Sequence, residues 1–336
     1  MKLPFYRGDG SQQRPETAVD LPVSQKSRLL IPENYIADQG LRDACNVALL
    51  LGQPLLLTGE PGTGKTQFAY NLAWELGLDA PFKFETKSDS VARDLFYTYD
   101  ALKRYQDIQS DAPSTAISHY ITYQALGLAI LRAQPPDILN SLVPPEFAAS
   151  KPQRSVVLID EIDKAPRDFP NDLLNELEQL YFKIPELGNV QVSAEPKFQP
   201  IVVITSNSEK DLPDAFLRRC IYYHVPFPGS ARLASIIASH LGINTDTNDA
   251  FLQTALEVFY QLRAPENGLR KRPATAELLG WLVTLQHLGK GQDNPLADPQ
   301  IILQTLSSLI KTAEDQPKAR GIVEQWIQNR SKRGTG

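Results

Sequence analysis

Apolar and polar positions change rhythm repeatedly along the 336-residue chain. Residues 1–31 mix Gly, Pro, Gln, Ser and charge without a helical or strand period, which predicts a flexible arm. Over 32–52 the apolar residues Ile36, Leu41, Ala44, Cys45, Ala48 and Leu49 recur at helical spacings, so a helix ending at Gly52 is expected. Pro54-Leu55-Leu56-Leu57-Thr58 is a short continuous apolar run, the pattern of a parallel strand covered on both faces. Phe68, Ala69, Leu72, Ala73 and Leu76 then form a helical stripe that Gly77 ends, completing half of a βαβ unit. Val156-Val157-Leu158-Ile159 and Ile201-Val202-Val203-Ile204 are further apolar runs, each ending in polar residues where a doubly wound sheet places its ligand edge. Between them Leu173, Leu174, Leu177, Leu180 and Tyr181 predict one crossover helix. Residues 82–86 and 221–225 read as additional strands.

Beyond Pro226 and Pro228 the strand signals stop. Leu233, Ile236 and Ile237, then Leu252, Leu256 and Phe259, then Leu278, Leu279, Leu282 and Leu285 mark helical stripes. The expected fold class is therefore α/β: a doubly wound parallel sheet with helices on both faces over 32–227. A small all-helical domain follows over 228–336, with a short basic C-terminal tail. Residues 106–153, rich in Ser, Pro and Gln around one helix at 123–133, read as an insertion on the first domain.

Composition narrows the function classes. Hydrophobic residues make up 42% and charged residues 22%, ordinary globular usage that excludes wholesale disorder, collagen and a long coiled coil. The net charge of −5 offers no overall field for a polyanion, so a nucleic-acid partner is not expected. Cys45 and Cys220 are too few for a disulfide framework, and the expected compartment is the reducing cytoplasm. The chain start lacks a signal-peptide pattern, and no stretch is long and apolar enough to span a membrane. His119, His224, His240 and His287 are scattered, which argues against a zinc site. Tyr97, Tyr99 and Tyr105 near Arg93, Lys103 and Arg104 form the densest aromatic and basic cluster, read as core tyrosines with solvated charges over a nucleic-acid surface.

The chemistry gathers at the strand ends. Gly59-Glu60-Pro61-Gly62-Thr63-Gly64-Lys65-Thr66 fits the phosphate-loop pattern between an expected strand and an expected helix. Its glycines let backbone amides turn toward phosphate oxygens, Lys65 reaches the β and γ phosphates, and Thr66 supplies a hydroxyl to Mg2+. Asp160-Glu161 puts two carboxylates at the end of a buried strand, where a metal ion compensates their charge. Asp160 would hold that metal through water, and Glu161 would orient or activate the water attacking the γ-phosphate. Asn207, closing Ile204-Thr205-Ser206-Asn207, either holds the γ-phosphate or attacking water or serves as a turn former. Arg218 and Arg219, after Leu212-Pro213-Asp214-Ala215-Phe216-Leu217, read as a surface pair or as an arginine finger for a neighbouring subunit. Asp163 and Lys164 read as capping or intersubunit charges.

These four motifs, in this order over residues 32–290, resemble the AAA+ ATPases, P-loop NTPases, and among them the MoxR-like group. The resemblance implies Walker A at 59–66, Walker B at 156–161, sensor 1 at Asn207 and the arginine finger at Arg219, with Arg218 as its alternative. It implies ATP and Mg2+ as cofactors and a homo-oligomeric ring, commonly hexameric, with ATP between neighbours. It further implies chaperone-like remodelling of a protein client, often in metalloenzyme maturation, together with a partner bearing a von Willebrand factor A domain. The chain departs from the family at the second sensor: Pro273 is followed by Ala274 and Thr275, and of Arg270, Lys271 and Arg272 just before it one, foremost Arg272, acts from a shifted position, or the three form a solvated basic turn. A slow nucleotide-dependent signalling or defence switch is the alternative, and a nucleic-acid motor a weaker one.

Overall fold

The computed structural model describes residues 17, 30–109, 116–142, 151–208, 210–242, 250–288, 296 and 298–333. These cluster into two compact units, one of residues 37–61 and 65–226, the other of residues 30–36, 62–64 and 227–333. The expected flexible arm lies, apart from residues 17, 30 and 31, outside the described residues.

The first unit opens with α1 (Gln39–Leu51), whose first turn is capped by Asp38 accepting from the Leu41 N–H at 2.8 Å and whose end is Gly52 in the left-handed region. The helix is shorter than expected, because Pro32–Asn34 form only a 3-10 turn and the chain reaches Asp38 extended. The elements that follow are β1 (Leu55–Thr58), α2 (Lys65–Glu75), β2 (Phe82–Glu85), β3 (Tyr97–Tyr99), α3 (Ala101–Gln109), β4 (Ile121–Tyr123), α4 (Ala125–Arg132) and α5 (Pro136–Leu142). Then come β5 (Val156–Asp160), α6 (Phe169–Asp172), α7 (Leu174–Gln179), β6 (Tyr181–Ile184), β7 (Val190–Ser193), β8 (Ile201–Thr205), α8 (Asp214–Leu217) and β9 (Ile221–His224).

Five strands form one parallel sheet in the order β2-β5-β8-β1-β9. Burial follows position in that order. The inner strands β1 and β5 are buried at every residue, whereas the edge strands β2 and β9 alternate between half-buried and exposed. Helix α4 packs on β2 and β5 with Leu126 and Ile130 fully buried, so the 106–153 stretch contributes to this core through α4, while 110–115 and 143–150 lie outside the described residues.

The single crossover helix expected over 173–181 is instead two short helices and a strand. Leu180 adopts a left-handed conformation (φ 49°) that ends α7, and Tyr181-Phe182-Lys183-Ile184 then alternates exposure as β6. Leu173, Leu177 and Leu180 are still buried, which is why their spacing reads as one helical stripe. Two antiparallel ribbons, β3 with β4 and β6 with β7, were not foreseen.

The second unit continues with α9 (Ser230–Leu241), α10 (Ala250–Arg263), α11 (Thr275–Leu288), α12 (Gln300–Thr305) and α13 (Asp315–Arg333). Its core gathers Leu233, Phe259, Trp281, Leu282 and Ile302, and the Trp281 indole N–H donates to Thr305 Oγ1 at 2.8 Å, so the buried ring keeps a polar partner. Asp315, fully buried at the start of α13, accepts the N–H groups of Arg270 and Lys271 at 2.9 Å each and so pins the basic turn before Pro273. Among the described residues no helix is long and apolar enough to cross a membrane.

Candidate active site

Strand β1 delivers the chain to the carboxyl edge of the sheet at Thr58, whose hydroxyl donates to Tyr222 Oη at 2.8 Å. The loop that follows needs its glycines. Gly59 has φ 141°, and a Cβ there would stand 2.5 Å from the Val225 carbonyl oxygen; Gly62 and Gly64 also have positive φ. Lys65 begins α2 with its side chain buried beneath the loop, its ammonium donating to the carbonyls of Gly59 (2.8 Å) and Glu60 (3.0 Å). Burial lowers its pKa, and the charges of Asp163, Asp160, Glu161 and Glu60 oppose that shift. A phosphate oxygen offers this ammonium a stronger acceptor than the two neutral carbonyls it holds.

The adjacent residue, Thr66, connects the loop to β5. Its hydroxyl donates to Asp160 Oδ1 at 2.8 Å, and the Thr205 hydroxyl, from the end of β8, donates to the same oxygen at 2.7 Å. Thr205 Oγ1 in turn accepts the Glu161 N–H at 2.9 Å, so the ends of β5 and β8 are cross-tied through one hydroxyl. The other oxygen of Asp160 faces Lys83 of β2 at 3.0 Å. Thr86, just past β2, donates its N–H to the Asp160 carbonyl at 3.2 Å, and its buried hydroxyl has no hydrogen-bond partner among the described residues.

Glu161 turns out of the strand in the left-handed region, φ 57° and ψ 51°, a conformation unfavourable for a residue with a Cβ. That turn brings its carboxylate to Asn207, whose Nδ2 donates to Glu161 Oε1 at 3.0 Å, and to Lys164, which donates to Oε2. Asn207 is itself fixed through its backbone N–H, which donates to both oxygens of the buried Asp163 at 3.2 and 3.1 Å.

The donor set fits magnesium. The Thr66 hydroxyl and the Asp160 carboxylate are hard oxygen ligands in mutual contact, and among the described residues no group of three or more His, Cys, Asp or Glu could hold a metal. Magnesium takes one or two protein oxygens and completes its octahedron with water and phosphate, so it needs no protein-only cage.

The sheet brings Lys65, Thr66, Asp160, Glu161 and Asn207 together, but it sets the arginines elsewhere. Arg218 and Arg219 are separated from β9 by Cys220 alone, and the first residue of β9 pairs with the first residue of β1, so they lie at the amino edge of the sheet. There they line a cleft of about 340 Å³ with Leu174, Glu178 and Cys220. Arg219 donates through Nε to Glu178 at 2.9 Å and through Nη1 to the Ala215 carbonyl at 3.2 Å. Arg272 is exposed and belongs to the second unit.

Sequence reading passed over two members of this network, Lys83 and Thr205. Thr205 lies within the strand end Ile204-Thr205-Ser206-Asn207, and Lys83 with Glu85 shows a polar alternation on β2, yet neither pattern alone separates a site residue from a solvated one. Asp163 and Lys164, read as capping or intersubunit charges, join the site itself: Asp163 accepts the Asn207 N–H and Lys164 donates to Glu161. The tyrosine cluster does not form one surface: Tyr97 is in the core and donates to Glu186 at 2.8 Å, Tyr99 accepts from Arg104 at 2.7 Å, and Tyr105 is exposed.

Residues 54–220 match the family model of the AAA domain, dynein-related subfamily, a span that contains the phosphate loop, Asp160, Glu161, Asn207, Arg218 and Arg219 and leaves out Arg272. No curated protein matches the sequence significantly.

Proposed function

We propose that this protein, whose residues 54–220 match the AAA domain model, is a cytoplasmic ATPase that binds Mg·ATP on the 59–66 loop and hydrolyses its γ-phosphate. Turnover occurs in a homo-oligomeric ring, commonly hexameric, and drives remodelling of a protein client in the manner of the MoxR-like group, which includes metalloenzyme maturation and von Willebrand factor A partners. The observation that carries the hydrolytic reading is the placement of Glu161: a strained backbone holds a carboxylate beside Asn207, one residue from the Asp160 that contacts Thr66.

In this reading the loop amides and Lys65 bind the phosphates, with Lys65 exchanging its two carbonyl partners for phosphate oxygens. Thr66 and Asp160 would hold the magnesium ion, which when bound neutralises phosphate charge. Glu161 orients the attacking water and accepts its proton at Oε1 or Oε2, while Asn207 keeps the carboxylate in register. Arg219 serves a neighbouring subunit's site, and Arg272 reports on nucleotide from the helical unit.

The test is steady-state ATP hydrolysis by wild type, Lys65→Ala and Glu161→Gln over a range of protein concentrations, with oligomer mass recorded with and without ATP. Turnover that rises cooperatively and vanishes in both variants supports the shared-site motor. A second reading, the slow nucleotide-dependent switch, is favoured by the engagement of both Glu161 oxygens by Asn207 and Lys164. Tight ATP binding with negligible turnover at every concentration would establish the switch and remove the motor.

A further inference from the structure

We propose that Lys83 is a positioning residue that makes a divalent cation compete for Asp160, and so sets the metal concentration at which this site fills. The inference rests on the nucleotide reading above and adds to it a residue outside the phosphate loop and the acidic pair.

Asp160 offers two carboxylate oxygens. Oδ1 already accepts two hydroxyls, from Thr66 at 2.8 Å and Thr205 at 2.7 Å. Oδ2 takes neither hydroxyl, and the group it meets is the Lys83 ammonium at 3.0 Å. Lys83 is delivered there by the sheet. In the parallel pairing of β2 with β5, Glu85 stands opposite Asp160 and Lys83 opposite Leu158, and alternation along β2 puts Lys83 and Glu85 on one face. The ammonium donates to Glu85 Oε1 at 2.7 Å as well, so it bridges a largely buried carboxylate and an exposed one.

The consequence is electrostatic. Without Lys83 the Asp160 carboxylate is a strong attractor for any hard cation. With it, part of that charge is compensated by a resident ion that cannot diffuse away, and a divalent metal entering beside Thr66 meets like charge a few ångströms off. Glu85 works in the opposite sense, because it draws the ammonium toward the edge of the sheet and shares its charge. Lys83 therefore weakens metal binding and Glu85 restores part of it.

Mn2+ is the probe, titrated into the full chain with saturating AMP-PNP and read as free Mn2+ by electron paramagnetic resonance. Nucleotide binding is followed separately with a fluorescent ADP analogue in EDTA. Lys83→Gln is expected to bind Mn2+ roughly five- to tenfold more tightly than wild type, with Glu85→Gln several-fold more weakly and Lys83→Arg close to wild type. Metal-free ADP-analogue binding should stay within about twofold in all of them, and the Mg2+ needed for half-maximal hydrolysis should move in the same order. A merely structural ion pair would lower stability without moving the Mn2+ affinity. Equal or weaker Mn2+ binding by Lys83→Gln, in a wild type that binds both probes, overturns the role of Lys83 and leaves the nucleotide reading intact. A wild type that binds neither probe overturns the nucleotide reading and the Lys83 inference with it. Should Lys83→Gln fail to fold, Glu85→Gln decides, and an unchanged Mn2+ affinity in that variant counts against the proposal.

Discussion

Asn207 Nδ2 donates to Glu161 Oε1 at 3.0 Å, joining the ends of two strands through their side chains. The bond is held from both sides. Thr205, two residues before Asn207, accepts the Glu161 N–H, and Asp163, two residues after Glu161, accepts the Asn207 N–H. The two segments are thus laced by reciprocal hydrogen bonds, and the Glu161 carboxylate gains its position from a framework in which Asp163 and Thr205 are buried.

Removal of the amide should therefore separate binding from turnover. Asn207→Ala leaves the phosphate loop and Lys65 untouched, so affinity for a fluorescent ATP analogue should stay within about threefold. Loss of one positioned polar group at the reacting centre is expected to lower kcat by about 10²–10³. A kcat within twofold of wild type would show that Asn207 acts only as a turn former.

The left-handed backbone at Glu161 is a separate claim, and it is tested by comparing two truncations. Glu161→Ala and Glu161→Gly both lose the bonds to Asn207 and Lys164, but only glycine adopts φ 57° without a Cβ penalty. Urea denaturation should find the Gly variant more stable than the Ala variant by about 1 kcal/mol. Equal stabilities would mean that the strained conformation is not held in solution.

The same residues show why some of this was legible beforehand. β1, β5 and β8 are buried on both faces, so their sequences are unbroken apolar runs, and the polar residues that end them mark the carboxyl edge without further information. The ribbons β3/β4 and β6/β7 have strands of three or four residues, too short for alternation to stand out from noise. Leu180 shows a different limit: it is buried in either reading, so its place in a leucine stripe carries no sign that its φ is positive and that a strand begins one residue later. Lys83 and Thr205 become site residues only through strand neighbours that are distant in sequence, which a linear pattern does not contain.

Both cysteines should be inert in the folded protein. Burial, with help from the Glu75 charge, pushes the Cys45 thiol up to about 11, and burial pushes Cys220 up to about 12. At pH 8 a thiol of pKa about 11 is ionised in about one molecule in a thousand, and the thiolate is the reactive form. Iodoacetamide at that pH should leave both residues unmodified over a period in which the urea-unfolded chain reacts fully. Rapid alkylation of either one in native protein, read by mass spectrometry, would contradict the burial described for it.

Arg219 gives the sharpest test of assembly, because its own chain cannot use it. The phosphate loop follows the last residue of β1 and Arg219 precedes the first residue of β9, so the two stand at opposite ends of a four-residue parallel pair that spans about 13 Å. Its guanidinium is also turned to Glu178 and the Ala215 carbonyl, near the cleft beside Cys220. Arg219→Ala should leave ATP-analogue affinity within about twofold and lower turnover by about 10³ if the group stabilises transition-state charge in a neighbouring subunit. Mixing supplies the discriminating result. Arg219→Ala combined with Lys65→Ala, each inactive alone, should recover hydrolysis at interfaces that pair an intact loop with an intact arginine. A mixture as inactive as its parts, with mixed oligomers demonstrated by mass, would remove Arg219 from that role and leave Arg218, exposed beside it, as the residue to test in the same way.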